Sequence, residues 1–183
     1  NGHGKSTLFK IILGEDHQDD GEVRIPSGYR IAHLSQHIDF TKSTVLEEAC
    51  LTMPKTHDGY DETYKVKAIL HGLGFCDDDF DRDPRTFSGG YQVRLNLVKI
   101  LASQPNLLLL DEPTNYLDIV SLRWLETFLQ SWQGELLLIT HDRTFMDKVV
   151  THILGLHRTK VRKLEGNTVK YLTQICQEEE IHE

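Results

Sequence analysis

The chain has 183 residues, a formal net charge of −8 and 39% hydrophobic side chains, which suits one globular domain and not comfortably two. The negative charge argues against binding nucleic acid by bulk electrostatics, because that mode needs clustered Lys and Arg, although a local basic patch remains compatible with docking on RNA. The cysteines Cys50, Cys76 and Cys176 are far apart and odd in number, which favours free thiols in a reducing cytosol over disulfides or a zinc site. No apolar run approaches membrane-spanning length, so we expect no direct membrane insertion.

The first half of the chain mixes helical periodicity with short apolar runs. The periodicity and the turn residues predict a helix over 5–13, strands at 22–25 and 30–34 joined by a turn at 26–28, and helices over 44–51 and 61–73. The second helix of this series opens with capping-box spacing at Thr44.

The second half shows apolar runs that alternate with amphipathic segments. It predicts a long helix ending near 102, a buried strand at 107–110, a helix over 120–129, a second buried strand at 136–140, a short helix over 144–149, a hairpin of 151–156 with 160–164, and a polar helix from 168. Continuous apolar strands are typical of a parallel sheet that is covered on both faces. The alternation of such strands with helices predicts an α/β fold.

The segment Gly2-x-Gly4-Lys5-Ser6 has the spacing of the second half of a phosphate-binding loop. Glycines let backbone N–H groups curl around phosphates, and the helix that follows points its positive end at them. In such a loop Lys5 reaches the β- and γ-phosphates, while the Ser6 hydroxyl ligates Mg²⁺. A glycine-rich helix start with an exposed lysine is the alternative. Because a phosphate-binding loop normally follows a buried strand, we expect that strand upstream of Asn1.

An acidic pair follows the predicted buried strand at 107–110. Asp111 stands at the carboxyl end of the strand, where phosphate-binding folds hold Mg²⁺, and Glu112 can polarise a water for in-line attack on a γ-phosphate. Taken alone, the pair is also compatible with an acidic turn after a core strand. Its occurrence behind a phosphate-binding loop, in the correct order, favours the chemical interpretation.

A third motif, Phe87-Ser88-Gly89-Gly90, stands directly before the long predicted helix. A serine and two glycine amides at a helix start form another anion site, although an N-capped helix with a flexible lead has the same pattern. The motif resembles the signature loop of ATP-binding cassette (ABC) proteins, with Phe87 where that family usually has Leu and Tyr91 where it often has Gln. Together with the phosphate-binding loop and the acidic pair, this resemblance spans nearly the whole chain.

The resemblance implies the ABC type of P-loop NTPase fold. That fold has a mainly parallel central sheet flanked by helices, a helical subdomain, here at about 44–103, that carries the signature loop, and a small antiparallel β part. The resemblance also implies ATP and Mg²⁺ as ligands and ATP hydrolysis as the activity. It implies a second cassette as partner, in the same chain or in a homodimer, with each signature loop touching the γ-phosphate held by the other cassette.

The resemblance assigns roles residue by residue. It gives catalysis to Glu112, to the switch histidine His141 and to the Q-loop glutamine Gln36, each of which follows a predicted strand, and it gives the metal to Ser6, Gln36 and Asp111. A single Gln or His would usually be an ordinary surface or core residue, so position carries this assignment. The nucleotide-binding residues are Asn1, Gly2, His3, Gly4, Lys5, Ser6 and Thr7 and, across the interface, Ser88, Gly89, Gly90 and the D-loop residue Asp118.

Three features resemble the ABC-F branch, whose members are soluble cytoplasmic proteins with two cassettes on one chain that act on the translating ribosome. They are Asn115 after Thr114, the switch segment at 140–147 and the string Glu165-Gly166-Asn167. On this resemblance the cassette covers 1–167, a helical inter-cassette linker begins at 168–183, and the ribosome with its rRNA is a partner. Many first cassettes of that branch carry a helical arm between Q-loop and signature loop, whereas the spacing here is little more than an ordinary cassette needs.

Two other functions remain open at this level. One is the nucleotide-binding subunit of an ABC transporter, which the armless spacing favours and Asn115 and the 165–167 string disfavour. The other is an interaction module gated by nucleotide binding, in which turnover is slow.

Overall fold

A computed structural model describes residues 4–35, 37–55, 61–157 and 160–180. Its elements in chain order are α1 (Lys5–Leu13), β1 (Ile31–His33), α2 (Val45–Cys50), α3 (Thr63–Gly72), single 3₁₀ turns at Asp77–Asp79 and Pro84–Thr86, α4 (Gly89–Ala102), β2 (Leu107–Asp111), α5 (Ile119–Gln130), β3 (Glu135–Ile139), α6 (Arg143–Val149), β4 (His152–His157), β5 (Lys160–Glu165) and α7 (Thr168–Glu180). None of the helices in these ranges combines the length and the apolar composition that crossing a membrane needs.

The central sheet is parallel and has the order β1-β2-β3 in the described part of the chain. The apolar run of β2 is fully buried at Leu108, Leu109 and Leu110, as the sequence predicts, whereas the β3 side chains are only half-buried. Strands β4 and β5 form a separate antiparallel hairpin. The predicted α/β architecture with a small antiparallel part is therefore confirmed.

The predicted strand at 22–25 is wrong. This segment is not a strand in the structure, and its two large apolar residues, Val23 and Ile25, are 43% and 46% exposed. The turn after it does form, with the Tyr29 amide donating to the Pro26 carbonyl at 3.1 Å, but β1 then pairs with β2 and not with 22–25. A strand needs a partner for its backbone groups, and the described residues offer this segment none.

A helical layer formed by α2, α3 and α4 packs against the sheet. Thr44 begins α2 as predicted, with its side chain accepting from the Glu47 amide at 3.2 Å. Helix α3 ends at Gly72, where an added Cβ would lie 2.0 Å from the indole ring of Trp124 on α5. Only glycine lets α3 approach α5 this closely. The buried apolar side chains of these three helices are Val45, Ala49, Val66, Ile69, Leu70, Leu95, Leu97, Val98, Leu101 and Ala102.

A buried carboxylate joins α2 to α4 and to the segment that precedes α2. The Glu48 side chain on α2 is fully buried, accepts from the Lys99 ammonium on α4, and also accepts from the amides of Thr41 at 3.0 Å and Lys42 at 2.8 Å. Burial alone would raise the pKa of the Glu48 carboxyl, but the hydrogen bonds from Lys99, Lys42 and Thr41 outweigh it, so this pKa lies below its ordinary value.

We predict that Lys99→Met destabilises the cassette by about 3–5 kcal/mol at neutral pH, because it leaves a buried carboxylate without its cation. Urea unfolding measures this difference. Lys42→Met is the matched control, since the exposed Lys42 holds Glu48 through its backbone amide and not through its side chain. An equal loss in both variants would contradict the assignment of the Glu48–Lys99 pair.

The same pair predicts a pH dependence. A carboxyl whose folded pKa is lowered stabilises the fold above its unfolded pKa, about 4.3 for Glu, and loses that contribution as the pH falls through the folded value. The difference in free energy of unfolding between the parent and Lys99→Met should therefore decrease as the pH is lowered into the acid range.

Candidate active site

A cavity of about 540 Å³ opens where the start of α1 meets the carboxyl ends of β2 and β3. Parallel strands bring their carboxyl ends to one edge of a sheet, which is why residues distant in sequence meet here. The lining residues are Gly4, Lys5, Ser6, Thr7, Asp111, Glu112, Thr114, Asn115, Ile139, His141 and Asp142.

The phosphate-binding loop enters α1 through Gly4. Gly4 has φ +83°, in the left-handed region that glycine adopts without a Cβ penalty, and no side chain caps the helix behind it. The first-turn amides therefore remain available at the end of the helix where the dipole is positive. With the Lys5 side chain beside them, they make this wall of the cavity suited to an anion.

A hydroxyl and a carboxylate meet on the adjoining wall. The Ser6 hydroxyl donates to Asp111 Oδ2 at 3.2 Å across 105 residues of sequence. Both are hard oxygen ligands, which Mg²⁺ prefers, and Mg²⁺ is commonly held by one or two protein oxygens together with substrate phosphates and waters. No group of three or more His, Cys, Asp or Glu side chains suited to a metal occurs in the part of the chain that the structure describes. The donor set therefore fits Mg²⁺ bound with a phosphate ligand.

The Glu112 and His141 side chains form a pair at the end of the sheet. Glu112 has φ +49°, and its amide donates to the Ile139 carbonyl on β3 at 2.8 Å. Glu112 Oε1 lies 3.2 Å from His141 Nε2, and Oε2 accepts from the His141 amide at 3.3 Å. The carboxylate is 23% exposed and the imidazole 66%, so both are reachable from the cavity. A carboxylate has about four lone-pair sites, so Glu112 can still accept from a water.

Three polar residues of the cavity were missed by the sequence-based site set: Thr114, Asn115 and Asp142. Asp142 caps α6, with Oδ1 accepting from the Phe145 amide at 2.9 Å, so its position has a local structural reason. Thr114 and Asn115 follow the acidic pair by two or three residues, and that adjacency is the signal that could have found them.

The signature-loop residues Ser88, Gly89 and Gly90 do not line this cavity. Ser88 and Gly89 are exposed at the start of α4, and the Ser88 hydroxyl makes no capping hydrogen bond. By contrast, Asp118 is engaged as the cap of α5, with Oδ1 accepting from the Val120 amide at 3.0 Å. The chain thus presents a second, separate helix start whose donors are open to a ligand.

Asp118 also stands beside an exposed apolar surface. Its hydrogen bonds from the Ser121 amide and from Arg94 hold the pKa of the Asp118 carboxyl below its ordinary value. Tyr116, Ile119 and Val120 around it are 64%, 59% and 73% exposed. The remaining predicted site residues, Asn1, Gly2, His3 and Gln36, lie outside the described residues.

Comparison with known proteins places the chain among ATP-binding proteins. A family model described as ABC transporter matches residues 1–115. The putative ATP-binding protein YdiF of Bacillus subtilis is 36% identical over 213 residues, covering 95% of this chain and 33% of its own length. ABC transporter F family member 5 of Arabidopsis thaliana is 32% identical over 214 residues, covering 94% of this chain and 31% of its own.

The fold is also found in solved structures. One is the archaeal ribosome recycling factor aABCE1, solved in complex with the ribosomal stalk protein aP1, which matches with a TM-score of 0.71 at 25% identity over 96% of this chain and 35% of that one. The chain spans about a third of the length of the curated relatives above. The aligned stretches of those relatives are longer than the chain itself, so they carry residues without a counterpart here.

Proposed function

This chain belongs to the ATP-binding cassette family and is of the ABC-F kind, and we propose from that premise that it binds ATP with Mg²⁺ in the cavity at Gly4 to Thr7 and hydrolyses it. The observation that carries the proposal is that the Glu112–His141 pair and the Ser6–Asp111 pair open onto the same cavity. A base and a hard-cation site side by side are what phosphoryl transfer to water requires.

In this proposal some residues bind the nucleotide and the metal, and others activate the attacking water. The loop amides and Lys5 bind the phosphates, and Ser6 and Asp111 hold Mg²⁺, with Gln36 as a further metal and water contact. When bound, the metal neutralises charge on the phosphates. Glu112 takes a proton from the attacking water as the water oxygen bonds to the γ-phosphorus and the bond to ADP breaks. His141 donates to Glu112 and keeps the carboxylate oriented.

We further propose that the signature loop serves a nucleotide held by a second cassette. Ser88, Gly89 and Gly90 lie outside the cavity, and an anion site built from them cannot stabilise charge that develops there. The exposed apolar side chains next to Asp118 support a protein partner at this face, since exposed apolar surface of this kind often marks an interaction site. The partner cassette is either a second one on the same chain or a second copy.

The finer role that we propose is that of the first cassette of a translation factor, acting on the ribosome and its rRNA in the cytoplasm. Support comes from the resemblance to ABC-F proteins and from the match to aABCE1, whose structure contains a ribosomal stalk protein. The second candidate is the nucleotide-binding subunit of a transporter, which the description of the matching family model favours.

Glu112→Gln should keep ATP binding and slow hydrolysis by a factor of roughly 10²–10⁴, because it removes the base and leaves the phosphate-binding groups in place. Single-turnover hydrolysis and nucleotide binding measure the two effects separately. The control is Glu22→Gln, the same change at an exposed glutamate that does not line the cavity. Near-normal turnover in Glu112→Gln would remove Glu112 from this role.

Ser88→Arg should abolish the gain in activity that comes with a second cassette while sparing weak ATP binding by one cassette, because its bulk and charge fill the signature loop. The measurement is ATPase activity per cassette against protein concentration, or on addition of the second cassette. Ser27→Arg places the same side chain in an exposed turn and should behave as the parent. Full activity of a dilute, strictly monomeric cassette would contradict the two-cassette mechanism.

The ribosomal role predicts that the full-length protein carrying Glu112→Gln sediments with ribosomes in ATP and is released in ADP. The closed, ATP-bound state accumulates in this variant because hydrolysis no longer ends it. Fractionation with a membrane protein complex, and not with ribosomes, would instead support the transporter function.

A further inference from the structure

One buried cation lies outside the active-site cavity and joins two parts of the fold. Arg94 on α4 is only 8% exposed. Its Nε donates to the Tyr116 carbonyl at 2.8 Å, and its Nη1 donates to Asp118 Oδ2 at 3.0 Å and to the Leu73 carbonyl at 3.2 Å. The guanidinium therefore connects the signature helix with the loop between β2 and α5.

That loop is held in a conformation that side chains do not favour. Glu112 at its start has φ +49°, and Tyr116 has φ +74°, both in the left-handed region although neither is glycine. Such residues persist only where the surroundings over-determine them, and they cluster at functional sites. Within the loop, the Asn115 amide donates to the Glu112 carbonyl at 3.2 Å. Arg94 lies outside the loop and donates a hydrogen bond to the carbonyl of Tyr116, one of its two left-handed residues.

The two ends of this connection belong to two different nucleotide sites. Helix α4 begins at the signature loop, and an added Cβ on Gly90 would lie 3.6 Å from the Tyr116 ring. The loop begins at Glu112, the base for this chain's own nucleotide. On the two-cassette arrangement proposed above, the signature loop binds the partner's nucleotide. Arg94 therefore connects the helix of the signature loop, which serves the partner's site, with the loop of Glu112, which serves this chain's own site.

We propose that Arg94 is a positioning residue that fixes the Glu112–Asp118 loop against the signature helix, so that engagement of the signature loop with the partner's nucleotide sets the position of the base in this chain's own site. Arg94 touches neither nucleotide in this arrangement. It acts through the Tyr116 carbonyl and the Asp118 carboxylate.

The site is built for arginine and not for a positive charge in general. Arginine presents five donors in a rigid fork, whereas lysine offers one nitrogen that cannot meet the Tyr116 carbonyl and the Asp118 carboxylate in the same geometry. The Tyr91 ring lies against the guanidinium, 4.7 Å from centroid to carbon. Gly74 has φ +92°, and an added Cβ there would lie 2.7 Å from Arg94 Nη1, so a side chain at this position would collide with the guanidinium.

The test is Arg94→Lys in the full-length protein, with Val98→Ala as the matched control. Val98 is fully buried one turn further along α4, so its truncation loosens the same helix without touching the loop. For Arg94→Lys we expect kcat to fall at least about tenfold, since a small displacement of a catalytic group is enough for that, with KM for ATP within about twofold. Val98→Ala should lower the unfolding midpoint about as much as Arg94→Lys does, and it should leave kcat nearly unchanged.

Hydrogen exchange of the 112–121 segment gives a readout that does not depend on turnover. The Val120 and Ser121 amides donate to Asp118, so their protection reports whether the loop is held. Arg94→Lys should speed exchange there in the ATP-bound protein, and Val98→Ala should not. Unchanged exchange in Arg94→Lys, or a kcat no lower than that of Val98→Ala, overturns the proposal. If parent activity proves independent of a second cassette, the two-cassette mechanism fails, while the exchange experiment still decides whether Arg94 holds the loop.

Discussion

The candidate active site depends on the backbone pairing of β2 with β3, in which Asp111 lies opposite Ile139 and the Glu112 amide donates to the Ile139 carbonyl at 2.8 Å. A one-residue slip would move each side chain of β2 to the other face and shift Glu112 relative to His141, because side chains alternate along a strand. The buried leucines of β2 hold this strand in the core, and its pairing with β3 brings the acidic pair to the edge of the sheet. A feature of the hydrophobic core thus positions the polar chemistry at the sheet edge.

The charges of the cavity are consistent with the proposed need for a cation beside the phosphates. Three carboxylates, Asp111, Glu112 and Asp142, line the same cavity as the one lysine, Lys5. A triphosphate without a cation would meet repulsion from these carboxylates. On the proposed function, Ser6 and Asp111 would hold a divalent cation, which would offset this repulsion when bound.

The sequence predicted most of this site because its motifs are local and each follows a predicted strand or precedes a predicted helix. Lys5, Ser6, Asp111, Glu112 and His141 were found that way, and the structure brings them to one cavity. The features that escaped prediction depend on distant parts of the chain. The strand at 22–25 was predicted from a short run before turn residues, yet a strand also needs a partner. The left-handed backbone of Glu112 and Tyr116 and the burial of Arg94 have no local sequence signal, because they depend on how distant segments pack.

The helices differ in whether a side chain caps the amides of their first turn. Helices α2, α5 and α6 begin with a side-chain cap from Thr44, Asp118 and Asp142. Helices α1 and α4, which begin at glycine-rich loops, have no such cap, and neither does α3, which begins after Glu62. A missing cap costs roughly 0.5–2 kcal/mol of helix stability, because first-turn amides remain unsatisfied. An anion at such a start satisfies them, so ligand binding and folding are linked there. On the proposed two-cassette arrangement, the anion at α1 would be this cassette's own nucleotide and the anion at α4 would be the partner's. The stability of each helix would then depend on a different binding event, and Arg94 connects α4 to the loop that begins at Glu112.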